Sequence, residues 1–174
     1  LARAFGVSDT TVRHYLDVLQ SALVVRTLPP WHENLAKRQI KSPKLYIADS
    51  GLLHALLRIP DRGDLVAHPS VGASWEGFAL QAVLQHHAIR DEAYFWGTHG
   101  GAELDLLVVR GSRRWGFEFK RSTAPTLTPS MRTAMADLKL RRLDVIHAGE
   151  RTYKLAERVT AIPLRRLAES VALS

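Results

Sequence analysis

The chain opens on a helical rhythm. In DTTVRHYLDVLQ, Val12, Tyr15, Leu16 and Leu19 recur at the spacing of one helical face, which predicts that they pack inward. Thr10, Thr11, Arg13, His14 and Asp17 fall largely on the other face. Upstream, a short helical stretch ends at Gly6, and Ser8 is a candidate N-cap for the helix that follows. A short helix, a glycine-containing turn and a polar-faced second helix are the parts of a helix-turn-helix. LVVRTLPPW then reads as a strand stopped by Pro29 and Pro30. KLYIADSGLLHALL reads as a strand running through Ile47, a turn over 49–51 and a helix. These two strands suit a wing, so a winged helix-turn-helix is expected over residues 1–60.

IPDRGDLVAHPSVG, rich in Pro, Gly and Asp and poor in periodicity, marks the boundary to a second domain over residues 61–174. There ASWEGFALQAVLQHHAI is an amphipathic helix with Ser74 as candidate cap. EAYFW, AELDLLVV and RWGFEFK are strands, the last two joined by a turn suited to Gly111. TPSMRTAMADLKL is a helix from about Pro129, RRLDVIHAG and RVTAIPL are two short strands, and LRRLAES closes as a helix. Helix, three strands, helix, strand implies an α/β fold whose mixed sheet carries flanking helices.

Charge and composition narrow the class. With 24 Lys and Arg against 17 Asp and Glu, the net charge of +7 attracts polyanions, and DNA is the expected partner. Lys37, Arg38, Lys41 and Lys44 lie in one stretch without an acidic residue, as a phosphate-contacting loop would, and Arg13 projects from the polar helical face. No apolar run reaches the roughly 20 residues of a membrane span. The absence of cysteine removes disulfides and cysteine zinc sites and fits a cytoplasmic protein. The opening at Leu1, in mid-helix, reads as the start of a fragment of a longer protein.

The chemistry concentrates in two strands. Side chains two apart share a face, so Trp115, Phe117 and Phe119 point to a core while Gly116, Glu118 and Lys120 point the other way. In the preceding strand Glu103, Asp105, Leu107 and Val109 are expected on one face, opposite Ala102, Leu104, Leu106 and Val108. If the hairpin register sets Asp105 near Glu118, two carboxylates and an ammonium converge. Adjacent carboxylates repel unless a cation or proton relieves them. Mg²⁺, which prefers oxygen ligands, is the expected cofactor, held by Asp105 and Glu118.

Asp105 followed by Glu118-Phe119-Lys120 on the next strand resembles the active-site pattern of the PD-(D/E)XK nucleases, whose core has the helix-strand-strand-strand-helix-strand order. The resemblance implies a Mg²⁺-dependent phosphodiesterase with Asp105, Glu118 and Lys120 catalytic and Glu76, in SWEGFALQ, as the acidic residue from the first helix. Arg113, Arg114 and Arg121 would flank the site and meet phosphates. The helix after Lys120 lacks the glutamine and tyrosine of some related nucleases. Over TVRHYLDVLQSALVV, KLYIADSGLL, WEGFALQ, GAELDLLVV and FEFK, the chain is also similar to a bacterial and archaeal family of unknown function found C-terminal to AAA+ ATPase modules. That resemblance implies an upstream ATPase module as partner. No G-x-x-x-x-G-K-[ST] occurs, so no such ATP site is expected in this stretch.

Blander accounts compete. Asp105, Glu118 and Lys120 would equally form a buried ion pair with an edge carboxylate, and Glu103 a solvated charge at a strand start. His86 and His87 suit the negative end of a helix dipole, His99 a polar turn, and Trp75 and Trp96 core or rim packing. A non-catalytic DNA- or protein-binding module that regulates the ATPase is the alternative function.

Overall fold

A computed structural model of the chain describes residues 5–33, 38–169 and 173. Helix α1 (Asp9–Ser21) starts where Ser8 accepts a hydrogen bond from the Thr11 amide, the predicted cap. Strands β1 (Val25–Leu28) and β2 (Lys44–Ile47) pair antiparallel, with Leu28 opposite Lys44. Helices α2 (Ser50–Leu56) and α3 (Arg62–Ala67) are capped by Asp49 and Asp61. Helix α4 (Val71–His86) leads into a six-stranded sheet. Its strands are β3 (Ala93–Gly97), β4 (Glu103–Arg110), β5 (Arg113–Lys120), β6 (Arg142–His147), β7 (Tyr153–Ala156) and β8 (Val159–Pro163), with α5 (Pro129–Asp137) between β5 and β6. The order across the sheet is β3-β4-β5-β6-β8-β7, parallel at β5–β6 and β6–β8 and antiparallel elsewhere.

Both faces of the sheet are covered, which is why its strands read as nearly continuous apolar runs. Leu80, Val83 and Leu84 of α4 pack on Leu106, Val108, Phe117, Phe119 and Ile146. Met131 and Ala134 of α5 pack with Leu104, Leu107, Leu143 and Val145 on the other face. The β1–β2 hairpin lies on the α4 side: Leu28 is buried in that core, with Ile40 and Tyr46 packed against it. The segment after β1 is tied to β3 by hydrogen bonds from Trp31 N to Phe95 O (2.7 Å) and from Phe95 N to Pro29 O (3.0 Å).

Several expectations change. The described residues before position 60 form α1, the β1–β2 pair and α2; the helix expected before α1 falls largely outside the described residues, and a winged helix is not established. Val12, Tyr15, Leu16 and Leu19 are not buried, Tyr15 being 63% exposed, and no other residue of α1 is buried either. Amphipathic spacing identifies a face and leaves open what covers it. The expected boundary stretch contains α3, since Asp61 supplies a cap where only loop-forming composition was read. Helix α4 begins at Val71, so Ser74 is not a cap; it is buried inside the helix and hydrogen-bonded to His54 Nε2 at 2.7 Å. Strand β7 was not anticipated, and the closing helix is a 3-10 turn over Leu164–Glu169.

The strand alternation also breaks in β4. Tyr94 pairs with Leu107 and Trp96 with Leu104, so Asp105 and Leu106 together oppose Phe95 in a β-bulge. Leu104 and Leu107 consequently line one core and Leu106 and Val108 the other. Glu103, Asp105, Leu107 and Val109 therefore do not share a face. A bulge re-aims the side chain it carries, and here that side chain is Asp105.

Candidate functional site

Strands β2, β4 and β5 and helix α4 bring one polar cluster together. Asp105, 8% exposed, accepts the Phe119 backbone N–H at Oδ2 (3.0 Å), so the bulged strand is pinned to β5 by the carboxylate itself. Glu118, 4% exposed, lies within the influence of the Asp105 charge and pairs with Lys120 at 2.8 Å. Glu76 projects from α4 and accepts hydrogen bonds from the Tyr46 hydroxyl (2.6 Å) and Lys44 Nζ (3.3 Å). Lys44 Nζ also forms a close ion pair with Glu103 and lies 3.6 Å from Asp105 Oδ1. The predicted Asp105, Glu118, Lys120 and Glu76 thus fall in one place.

Four carboxylates share two ammonium groups, and the protonation behaviour shows the shortage. Burial, then the Asp105 charge, push the Glu118 carboxyl up to about 8 against the pull of Lys120. Burial and the Glu76 charge raise Asp105 in the same direction, opposed by the Phe119 amide, Lys44 and Lys120. Burial opposes the charge on Lys44, yet the hydrogen bond to Glu103 and the charges of Glu76 and Asp105 prevail and raise it. Lys120 is raised in the same way, the effect of Glu118 and Asp105 exceeding that of burial. Burial and Glu76 together keep Tyr46 protonated.

An all-oxygen donor set with excess negative charge suits a hard divalent cation. Among the described residues, however, no three histidine, cysteine, aspartate or glutamate side chains are arranged to hold one. The Lys44 ammonium lies among Glu76, Glu103 and Asp105. The surplus of carboxylate charge at this point is met by a side-chain ammonium. Beside the cluster, a cavity of about 380 Å³ is lined by Lys44, Tyr46, Ser50, Glu76 and Phe78.

The basic residues divide. Arg121 is exposed next to the site, and Arg13, Arg38, Lys41 and Arg113 are exposed elsewhere. Lys37 lies outside the described residues. Lys44, expected at a phosphate backbone, is turned inward onto three carboxylates. Arg114 is also turned inward, donating to Glu33 (2.5 Å) and Leu138 O (3.0 Å) and lying over the Trp31 ring. Arg113 and Arg114 do not flank the site, because β5 runs from Arg113 to Lys120, seven steps or about 23 Å of extended chain.

His87 is not a dipole-stabilised cation. Burial, then His86 and two arginines, lower it to about 4, so it is neutral at pH 7. Trp96 is fully buried with its indole N–H on Gln39, as packing predicted. His99 lies in the β3–β4 turn, its backbone N–H donating to Arg38 O at 2.9 Å. Lys44 and Tyr46 are the members of the cluster that sequence reasoning missed, and Glu103, read as a solvated strand-start charge in preference to a further ligand, joins it through Lys44. The signal was present in KLYI, where Lys44 and Tyr46 are two apart on a strand and so share a face, the same pattern that exposed Glu118 and Lys120.

Fold and site together define a mixed α/β protein with a six-stranded sheet and a carboxylate-rich cluster contributed by β2, α4, β4 and β5. Residues 71–167, more than half of the chain, match the family described as Domain of unknown function (DUF4143), and the chain belongs to that family. Residues 1–63 match a second family, Domain of unknown function (DUF8612). The chain is 49% identical over 163 residues to Uncharacterized protein Rv2008c of Mycobacterium tuberculosis and, equally, to Uncharacterized protein Mb2031c of Mycobacterium bovis. Those alignments take in 94% of this chain and 37% of either relative, so the chain spans little more than a third of their length. Among the described residues, no helix is long and apolar enough to cross a membrane.

Proposed function

We propose that this domain is a Mg²⁺-dependent, nuclease-like phosphodiesterase acting on DNA, within a longer protein that carries an AAA+ ATPase module. The observation that carries the reading is the pairing of Asp105 and Glu118: two buried carboxyls on adjacent strands, both drawn toward protonation, with Lys120 on Glu118. The helix-strand-strand-strand-helix-strand order of α4, β3, β4, β5, α5 and β6 supports the PD-(D/E)XK resemblance. Asp105 and Glu118 would hold the cation, which would supply charge stabilisation on a phosphoryl oxygen and a more acidic bound water. Lys120, 38% exposed at its side chain, would orient that water or offset charge in the transition state. Glu76 would assist from α4, and exposed Arg121, next to Lys120 in the chain, would meet a phosphate.

Incubating the protein with DNA and Mg²⁺ or Mn²⁺, beside Asp105→Ala and Glu118→Ala, tests the reading. Cleavage by the wild type and its loss in both variants is expected; equal products from all three proteins would sink it.

A second reading is favoured by the position of Lys44. With its ammonium among three carboxylates, the cluster serves as an ion network fastening the hairpin to the sheet, in a non-catalytic module that binds DNA or protein and regulates the ATPase. DNA binding that weakens with salt, without Mn²⁺ binding at millimolar concentration, would favour this reading.

A further inference from the structure

The two oxygens of Asp105 are both engaged. Oδ2 accepts the Phe119 amide at 3.0 Å, and Oδ1 faces Lys44 Nζ at 3.6 Å. The same ammonium touches Glu76 and Glu103 and lies 5.6 Å from the centre of the Phe95 ring. It is delivered by β2, outside the six-stranded sheet, on a strand that Tyr46 anchors to Glu76 at 2.6 Å. A second cation approaching Asp105 therefore meets an oxygen already facing positive charge and another committed to the backbone. Two cations within a few ångströms in a partly buried site repel strongly.

We infer that the Lys44 ammonium and a divalent cation held by Asp105 and Glu118 compete for the Asp105 carboxylate, so that metal loading requires Lys44 to withdraw from the cluster. The inference rests on the metal reading above. It adds that the β1–β2 hairpin sets how readily the site loads. A ligand that draws Lys44 out of the cluster, such as a phosphate diester, would promote metal binding, because the withdrawn ammonium keeps an anionic partner.

Mn²⁺ binding to the whole chain, followed by calorimetry and by the loss of free-ion electron paramagnetic signal, tests this without any activity measurement. Lys44→Met is expected to bind Mn²⁺ at least about tenfold tighter than the wild type, equivalent to about 1.4 kcal/mol. Lys41→Met removes the same charge from an exposed position on the same segment and is expected to match the wild type. Lys44→Gln provides a second polar variant should the methionine protein fold poorly. In the wild type itself, saturating Mn²⁺ should speed acetylation of Lys44 several-fold, read by mass spectrometry, with Lys41 as internal reference. Equal affinity in wild type and the Lys44 variants, with binding lost in Asp105→Asn, overturns the competition and leaves the metal reading standing. No binding by any protein overturns both. Unchanged Lys44 acetylation in a wild type that does bind Mn²⁺ overturns the competition alone.

Discussion

Glu118→Gln should flatten the pH dependence of stability above neutrality, and the size of the effect follows from the environment of the carboxyl. An ordinary glutamate titrates near 4.5, whereas burial, followed by the Asp105 charge, brings Glu118 to about 8 in the folded protein. Between those values the native state retains a proton that the unfolded chain has released. The associated stability is complete below about pH 4.5 and disappears as pH rises through 8. His87 acts in the opposite sense. Burial, then its charged neighbours, lower it from 6.5 to about 4, so acid favours the unfolded state below pH 6.5. His147, lowered by burial, adds to that acid-side loss. The interval from pH 6.5 to 8 is thus left to the buried carboxyls, Glu118 foremost, with Asp105 and Asp144 raised in the same direction. At about 1.4 kcal/mol per pH unit, Glu118 alone contributes about 2 kcal/mol across it. Screening removes little of this, since only 5% of the side chain is exposed. With a urea m-value of about 2 kcal/mol per molar, the wild-type midpoint should fall by about 1 M from pH 6.5 to 8. Tryptophan fluorescence in EDTA-containing urea series reads it directly. A wild-type midpoint that stays level or rises, or a Glu118→Gln midpoint that falls as steeply, would refute the reasoning.

Two further predictions concern the frame that holds the site. A methyl group at Gly116 would meet Leu140 Cδ1 at 2.7 Å and Leu143 Cδ1 at 2.9 Å, and both leucines are fully buried. Gly116→Ala should therefore destabilise by about 1–3 kcal/mol in denaturant titration; a neutral effect would show that this core yields more easily than its packing implies. Asp144, 1% exposed, is held by a two-pronged contact from Arg142, and Arg142→Met should cost about 3–5 kcal/mol by stranding the carboxylate. Adding Asp144→Leu should restore much of that loss. A double variant as unstable as the single one would mean that the pair acts through packing and not through charge.

How far the sequence could be read depended on whether each feature was encoded locally. Strand period placed β3, β4, β5, β6 and β8, because buried strands carry unbroken apolar runs that turn residues punctuate. The Ser8 cap and the turn at Gly111, where φ is +60°, were legible for the same reason. The bulge at Asp105 was not. It depends on pairing with Phe95, and one extra residue in β4 reverses which side chains face which core. Lys44 was misread because a cluster of positive residues resembles a phosphate-facing loop until the fold brings acids from α4 and β4 to one of them. Arg114 was misread similarly: its partners Glu33 and Leu138 lie 81 and 24 residues away. In each case the deciding partner was remote, and no local pattern names a remote partner.

The buried polar groups themselves argue that the Asp105–Glu118 cluster differs from ordinary internal polarity. Thr98 accepts the Ala102 N–H, and Ser74 is bonded to His54. His147 accepts the Gly149 N–H at Nδ1 and donates from Nε2 to Arg151 O. Asp144 has one arginine bound through two nitrogens. Each of these is locally satisfied, as buried polar groups in stable folds generally are. Burial pushes Asp144 toward protonation as well, but Asp105 and Glu118, in a cluster with two more carboxylates than ammonium groups, are pushed further by the charge of neighbouring carboxylates, at some cost to stability. Apolar residues at these positions would avoid that cost, and the strands around them are otherwise apolar. A network serving only to fasten the hairpin to the sheet would need no more acids than bases. The surplus is what a site for an added cation requires, and that is the physical reason to put the metal reading ahead of the structural one.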